Sequence, residues 1–318
     1  MAPIRTDTRV KTVPSRGVQS ETMTRTPTRV RRSTPPPRIP DETPVPELGF
    51  LSAHNSFQGR MQVAACPSVR HLEFCLRHHC RALELDVYPD RKKRPIVRHA
   101  WCFGGFPWIT AMERIRDLAF VDQNNMPVIV FVDVRAPAAT MDLAAKHART
   151  ILGDRLFVGS SLSELTLGDI RDKVVFVTFP DVDGAEMWNA LRTDSMYRNG
   201  FENRRDTDPE WETVLWTAPD RNAVQMSLSR VYPRNVLWSS NFDPRPWVGR
   251  TNFVALNWGR PKSPRLQTLR RMFEGSQGVL PLDELERRVL WYVENDDPDP
   301  DRESDRESDR ESDRESGK

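Results

Sequence analysis

The chain has 318 residues, with 47 Lys and Arg against 45 Asp and Glu, for a formal charge of +2 at neutral pH. Hydrophobic residues make up 38% and charged residues 29%, enough apolar material for one large α/β domain of about 250 residues. No apolar run approaches the roughly 20 residues needed to cross a bilayer. No membrane span is therefore expected, and the balanced total conceals a basic head and an acidic tail.

The first 40 residues carry nine Lys and Arg against two acids, interleaved with Thr and Pro. Such a segment buries too little apolar surface to order itself, and residues 1–46 are read as an unfolded basic tail. Pro35-Pro36-Pro37 is a stiff extended spacer. Arg29-Val30-Arg31-Arg32 reads three ways: a solvated tail, a contact for anionic lipid, or a nuclear-import signal. Each basic residue near an anionic surface contributes about 1 kcal/mol.

The four cysteines, Cys66, Cys75, Cys80 and Cys102, follow no apolar leader, so a reducing, cytoplasmic compartment and free thiols are expected. Cys75 and Cys80 lie close to His71, His78 and His79, but the spacing fits no standard zinc module. Cys75 falls instead within an apolar helical pattern of Val69, Leu72, Phe74 and Leu76, where it packs.

From there apolar runs alternate with helical stretches. Strands are expected at 82–87, 95–99, 127–134, 173–179, 213–216, 235–239 and 252–257, and helices at 68–79, 110–120 and 140–151. The run Pro127–Val134 is apolar on both faces, as befits a strand covered on both sides. This alternation implies βαβ units and a parallel sheet, best closed as a TIM-type (β/α)8-like barrel forming a single catalytic domain. Residues 181–212 are polar and break the rhythm; they read as an insertion between two half-barrels. Residues 296–318, with Asp-Arg-Glu-Ser repeated four times from 301 to 316, are an acidic low-complexity tail.

Polar residues gather where the apolar runs stop. His54 and Asn55 end the segment 51–57, Glu84 and Asp86 share one face of a strand, His99 closes the run from 95, and Asp133 sits near the end of the most apolar strand. A parallel barrel brings strand C-terminal ends together. Amide and carboxylate oxygens suit a hard cation such as calcium, and two histidines supply proton transfer.

These motifs resemble the catalytic region of eukaryotic phosphoinositide-specific phospholipase C. The X half, residues 47–180, is similar through Ser52-Ala-His-Asn-Ser-Phe57, Ala82-Leu-Glu-Leu-Asp86 and Pro95-Ile-Val-Arg-His99. The Y half, 213–295, is similar through Leu228-Ser-Arg-Val-Tyr-Pro233, Ser239-Ser-Asn-Phe-Asp-Pro244 and Val254-Ala-Leu-Asn-Trp258. The resemblance implies calcium-dependent cleavage of inositol phospholipid at a membrane surface, by a monomer, through a cyclic phosphate. It implies His54, His99 and Glu84 as catalytic residues, Asn55, Glu84, Asp86 and Asp133 as metal ligands, and Arg230 and Tyr232 as substrate contacts.

Three departures stand out: Asp133 where the family carries Glu, Ala100 after His99, and Val177 and Phe179 where it carries lysines for ring phosphates. Losing those cations shifts the expected substrate toward less phosphorylated head groups. Trp101, Phe103, Phe106 and Trp108 follow His99 and form either an exposed lipid-entering ridge or rim packing. Two other readings compete: a catalytically silent inositide-binding barrel, and a glycerophosphodiester phosphodiesterase, which would want His-Arg where His54-Asn55 stands. The sequence has no recognisable nucleic-acid module.

Overall fold

The computed structural model describes residues 38–59, 66–99, 102, 104–159, 161–179, 182–195, 211–216, 228–233 and 241–294. Eight strands form one path: β7 (Asp194–Ser195), β6 (Val174–Phe179), β5 (Val128–Val134), β2 (Ala82–Pro89), β1 (Leu48–His54), β10 (Phe253–Asn257), β9 (Leu228–Pro233) and β8 (Trp211–Trp216). Every neighbouring pair is parallel except β8 with β9, which is antiparallel. Among the described residues no ladder joins β7 to β8; the sheet has a TIM-barrel strand order without hydrogen-bonded closure there.

The expected strand at 95–99 proves different in kind. β3 (Pro95–Val97) pairs antiparallel with β2 and then with β4 (Phe106–Pro107), off the main path. His99 therefore hangs from a side hairpin, not from a barrel strand. The expected strand at 235–239 lies outside the described residues. Within the polar stretch 181–212, a short helix α5 (Glu186–Asn189) buries Trp188, and β7 adds to the sheet edge.

Helices α1 (Val69–Arg77), α2 (Trp108–Leu118) and α3 (Ala138–Leu152) appear where periodicity places them. The Ser68 side chain caps α1 by accepting from the Arg70 N–H. Leu72, Cys75 and Leu76 form its buried stripe. Trp108 is fully buried, donates its indole N–H to the Ala144 carbonyl at 3.0 Å, and meets Phe176 and Trp188 edge-on or tilted. Phe106 is buried too. Neither belongs to an exposed ridge; Trp101 and Phe103 lie outside the described residues.

Two apolar cores follow from the period-2 alternation of the strands. Leu51, Leu83, Leu85, Val130 and Phe176 pack outward against the helices. Phe50, Ala82, Ile129, Phe131, Val175, Val177, Phe253 and Ala255 pack inward. Segment 38–47, expected partly within the unfolded head, joins this inner core through Ile39 and Val45, and Asn252 donates to the carbonyls of Pro46 and Leu48. Its two apolar side chains outweigh the surrounding charge. The C-terminal helix α7 (Leu282–Glu294) lies close on β1, because a side chain at Gly49 would collide with Leu285.

Candidate active site

The inward parity that fills the core continues toward the strand C-terminal ends, where its residues turn polar. Above Phe50 comes His54; above Ala82 come Glu84 and Asp86; above Phe131 comes Asp133; above Leu228 come Arg230 and Tyr232; above Ala255 comes Asn257. Five parallel strands thus deliver their polar side chains to one end of the sheet. β1 aligns His54 with Asn257, and β2 aligns Asp86 with Asp133.

Glu84 is the hub. Its Oε2 accepts from the Arg230 Nη2 at 2.7 Å and from the Asn55 backbone N–H at 3.2 Å, and lies 3.6 Å from His54 Nε2. Burial alone would raise the Glu84 carboxyl, but Arg230 and then His54 hold it down at about 2. Arg230 is wholly buried and lies over the rings of Phe131 and Tyr232, 4.6 and 4.9 Å from their centroids. There it is a counter-charge to Glu84.

His54 stacks on Tyr232 with centroids 5.4 Å apart, and its Nδ1 is 2.9 Å from Asn257 Oδ1. An amide oxygen only accepts, so Nδ1 carries the proton and the neutral ring turns an unprotonated Nε2 toward Glu84. Burial lowers the His54 pKa against the pull of Glu84. Asn257 is itself held by Asn241, which accepts from its backbone N–H at 2.7 Å and donates to its carbonyl at 3.1 Å. Asn257 escaped the sequence reading, although its signal, a polar residue ending an apolar strand, was the same one that singled out His54.

His99 is within electrostatic range of His54 and Glu84; burial and then His54 lower its pKa. Asn55 takes a left-handed backbone conformation at φ 46°, which Asn tolerates better than most side chains. Ser56 stitches the corner by accepting from the Glu84 N–H at 2.9 Å. Asp133 is paired with Arg135, whose Nε and Nη2 donate to its Oδ2 at 3.1 and 2.9 Å. Arg135 is a second residue that sequence reasoning missed.

Asn55, Glu84, Asp86 and Asp133 offer only oxygen donors. Asp86 is buried, and its carboxyl is pushed well up by burial and then by the negative charges of Glu84 and Asp133. Their all-oxygen chemistry fits a hard divalent cation. Among the described residues no three His, Cys, Asp or Glu side chains stand gathered as a metal cluster, since Arg230 and Arg135 engage two of the carboxylates. The contacts with Arg230, Asn55 and His54 gather on Oε2 of the Glu84 carboxylate. Cys75 and Cys80 are free buried thiols whose sulfurs lie against backbone carbonyl oxygens, as packing predicts.

Residues 43–178 match the sequence model of the phosphatidylinositol-specific phospholipase C X domain. The chain is 28% identical over 123 residues to the 1-phosphatidylinositol 4,5-bisphosphate phosphodiesterase 1 of Saccharomyces cerevisiae, covering 38% of this chain and 14% of the yeast protein. It is 29% identical over 137 residues to the gamma-2 phosphodiesterase of Rattus norvegicus, covering 42% of this chain and 11% of that one. The chain thus spans a small fraction of the length of these relatives. The crystal structure of S. officinalis PLC21 superposes with a TM-score of 0.63 at 18% identity, over 78% of this chain and 38% of that one. The L. pealei PLC21 structure gives 0.58. The shared fold therefore extends beyond the residues that match the X domain. No described helix is long and apolar enough to cross a membrane.

Proposed function

We propose that the chain is a calcium-dependent phosphoinositide phospholipase C. It cleaves inositol phospholipid to diacylglycerol and inositol phosphate through a cyclic phosphate. The observation that carries this reading is the convergence of His54, Asn55, Glu84, Asp86, Asp133, Tyr232 and His99 around the hub of Glu84.

In this reading Asn55, Glu84, Asp86 and Asp133 would hold calcium. When bound, the ion supplies charge stabilisation at phosphorus and acidifies the inositol 2-hydroxyl. Asp86 takes the proton of that hydroxyl, while Arg230 keeps Glu84 ionised. The hydroxyl oxygen bonds to phosphorus and the bond to the diacylglycerol oxygen breaks. His99 delivers a proton to that leaving oxygen, and Asn257 fixes the His54 ring beside the reacting groups. In the second half His99 takes a proton from water, the water oxygen bonds to phosphorus, and the 2-oxygen leaves with the proton held by Asp86. Tyr232 packs against the inositol ring.

Val177 is fully buried in the inner core and offers no charge to ring phosphates, so phosphatidylinositol and its monophosphate are the preferred substrates. Release of inositol phosphate from mixed vesicles, with each inositide and with calcium varied, tests the proposal. Activity that needs calcium and is lost in His54→Ala and His99→Ala supports it. No release from any inositide would leave the silent inositide-binding barrel instead.

A further inference from the structure

A second hollow lies far from the catalytic end. It has a volume of about 550 Å³ and sits between the last turns of α1 and α6 (Pro264–Met272), with Leu51 and Gly278 at its floor. Both helices return toward the strand N-terminal ends, as His79 directly precedes β2. His79 is five residues upstream of Glu84, about 16 Å of extended chain. This is the size range of a small-molecule pocket.

Its walls are cationic. Arg77, Arg270 and Arg271 face it against the single carboxylate of Glu274, together with His78 and His79. The Arg77 guanidinium makes no ion pair or hydrogen bond among the described residues. That of Arg270 is partly buried and, among the described residues, lies over the Trp258 ring, 5.9 Å from its centroid, with no ion pair. Asn124 Nδ2 donates to His79 Nδ1 at 3.2 Å, so the neutral ring carries its proton on Nε2 and keeps that N–H as a donor.

Helix C-termini attract cations through exposed carbonyls, and that would explain one such arginine. Here those carbonyls are already engaged. Arg288 Nη1 donates to the carbonyls of Met272 and Glu274 at 2.8 and 2.9 Å. The backbone N–H groups of His78, His79 and Cys80 cap α1, and His78 Nδ1 donates to the Phe74 carbonyl. Two arginines and an imidazole donor remain around one hollow whose single carboxylate, Glu274, is outnumbered by its cations and pairs with neither of these two arginines among the described residues. A partly buried guanidinium without a counter-charge is costly, and its planar donor fork matches phosphate oxygens.

We propose that this hollow is a binding site for a phosphate group, carried by a soluble phosphate ester or by a lipid head group, distinct from the catalytic end. The test uses the full chain and inorganic phosphate, titrated by calorimetry. Wild type is expected to bind, and Arg77→Gln/Arg270→Gln to bind at least about tenfold more weakly, whereas His54→Ala/His99→Ala keeps wild-type affinity. Arg77→Gln alone changes an exposed side chain with no recorded partner, so it retains the fold and should show part of the loss.

A vesicle arm, phosphatidic acid in phosphatidylcholine, separates the two sources. Reduced sedimentation of the arginine double variant assigns a lipid head group, and unchanged sedimentation with weakened phosphate binding assigns a soluble ester. Phosphate affinity untouched by the arginine substitutions, or lost with the two histidines instead, overturns the proposal.

Discussion

The pair Arg230–Glu84 offers the sharpest test of how the site is held together. Arg230 is fully buried, and its Nη2 lies 2.7 Å from Glu84 Oε2. Replacing it by Met keeps volume and removes the cation, stranding a buried carboxylate. The depression of Glu84 from 4.5 to about 2 corresponds to about 3 kcal/mol, and breaking a buried pair from one side typically costs about 3–5 kcal/mol. Arg230→Met should therefore lose about 3 kcal/mol in urea unfolding at neutral pH with a chelator present. Glu84→Gln should lose a comparable amount, and the double variant distinctly less than both together. The pH dependence has a definite sign. Glu84 titrates lower folded than unfolded, so its contribution is complete above about 4.5 and fades as pH falls toward 2. The gap between wild type and Arg230→Met should close over that window. A loss below about 1 kcal/mol, or strict additivity in the double variant, would refute the buried-pair reasoning.

Other consequences follow from single contacts. Asn257→Ala frees His54 to take the other tautomer, and should lower kcat about tenfold or more with KM little changed; Asn257→Asp, which keeps an acceptor, should recover part of it. Gly278 has φ 87°, and a side chain there would overlap the His79 carbonyl, so Gly278→Ala should lower the Tm by several degrees. Burial lowers the pKa of His71 and His79 below 6.5. The unfolded chain then binds more protons, so stability should fall as pH drops through 6.5 and below, with a shallower slope in His71→Leu.

Much of the scaffold is legible in the alternation of apolar residues. The run 127–134 lies on the interior strand β5, and the three expected helices appear with their apolar stripes buried. His54, Glu84, Asp86 and Asp133 were readable as polar residues at the ends of apolar runs, because inward parity is a local, period-2 property. Their partners were not. Arg230 is 146 residues from Glu84, and Asn257 is 203 from His54; no local pattern carries a contact across that separation.

Which residues turn inward was fixed by the sequence through alternation and strand order. What each does there was decided by packing. Arg230 and Glu84 are drawn together because a buried carboxylate needs a counter-charge. His99 reached the site from a side hairpin whose antiparallel pairing with β2 no run of apolar residues distinguishes from a barrel strand. The hollow between α1 and α6 exists only because two helix ends, 193 residues apart from Arg77 to Arg270, converge in three dimensions.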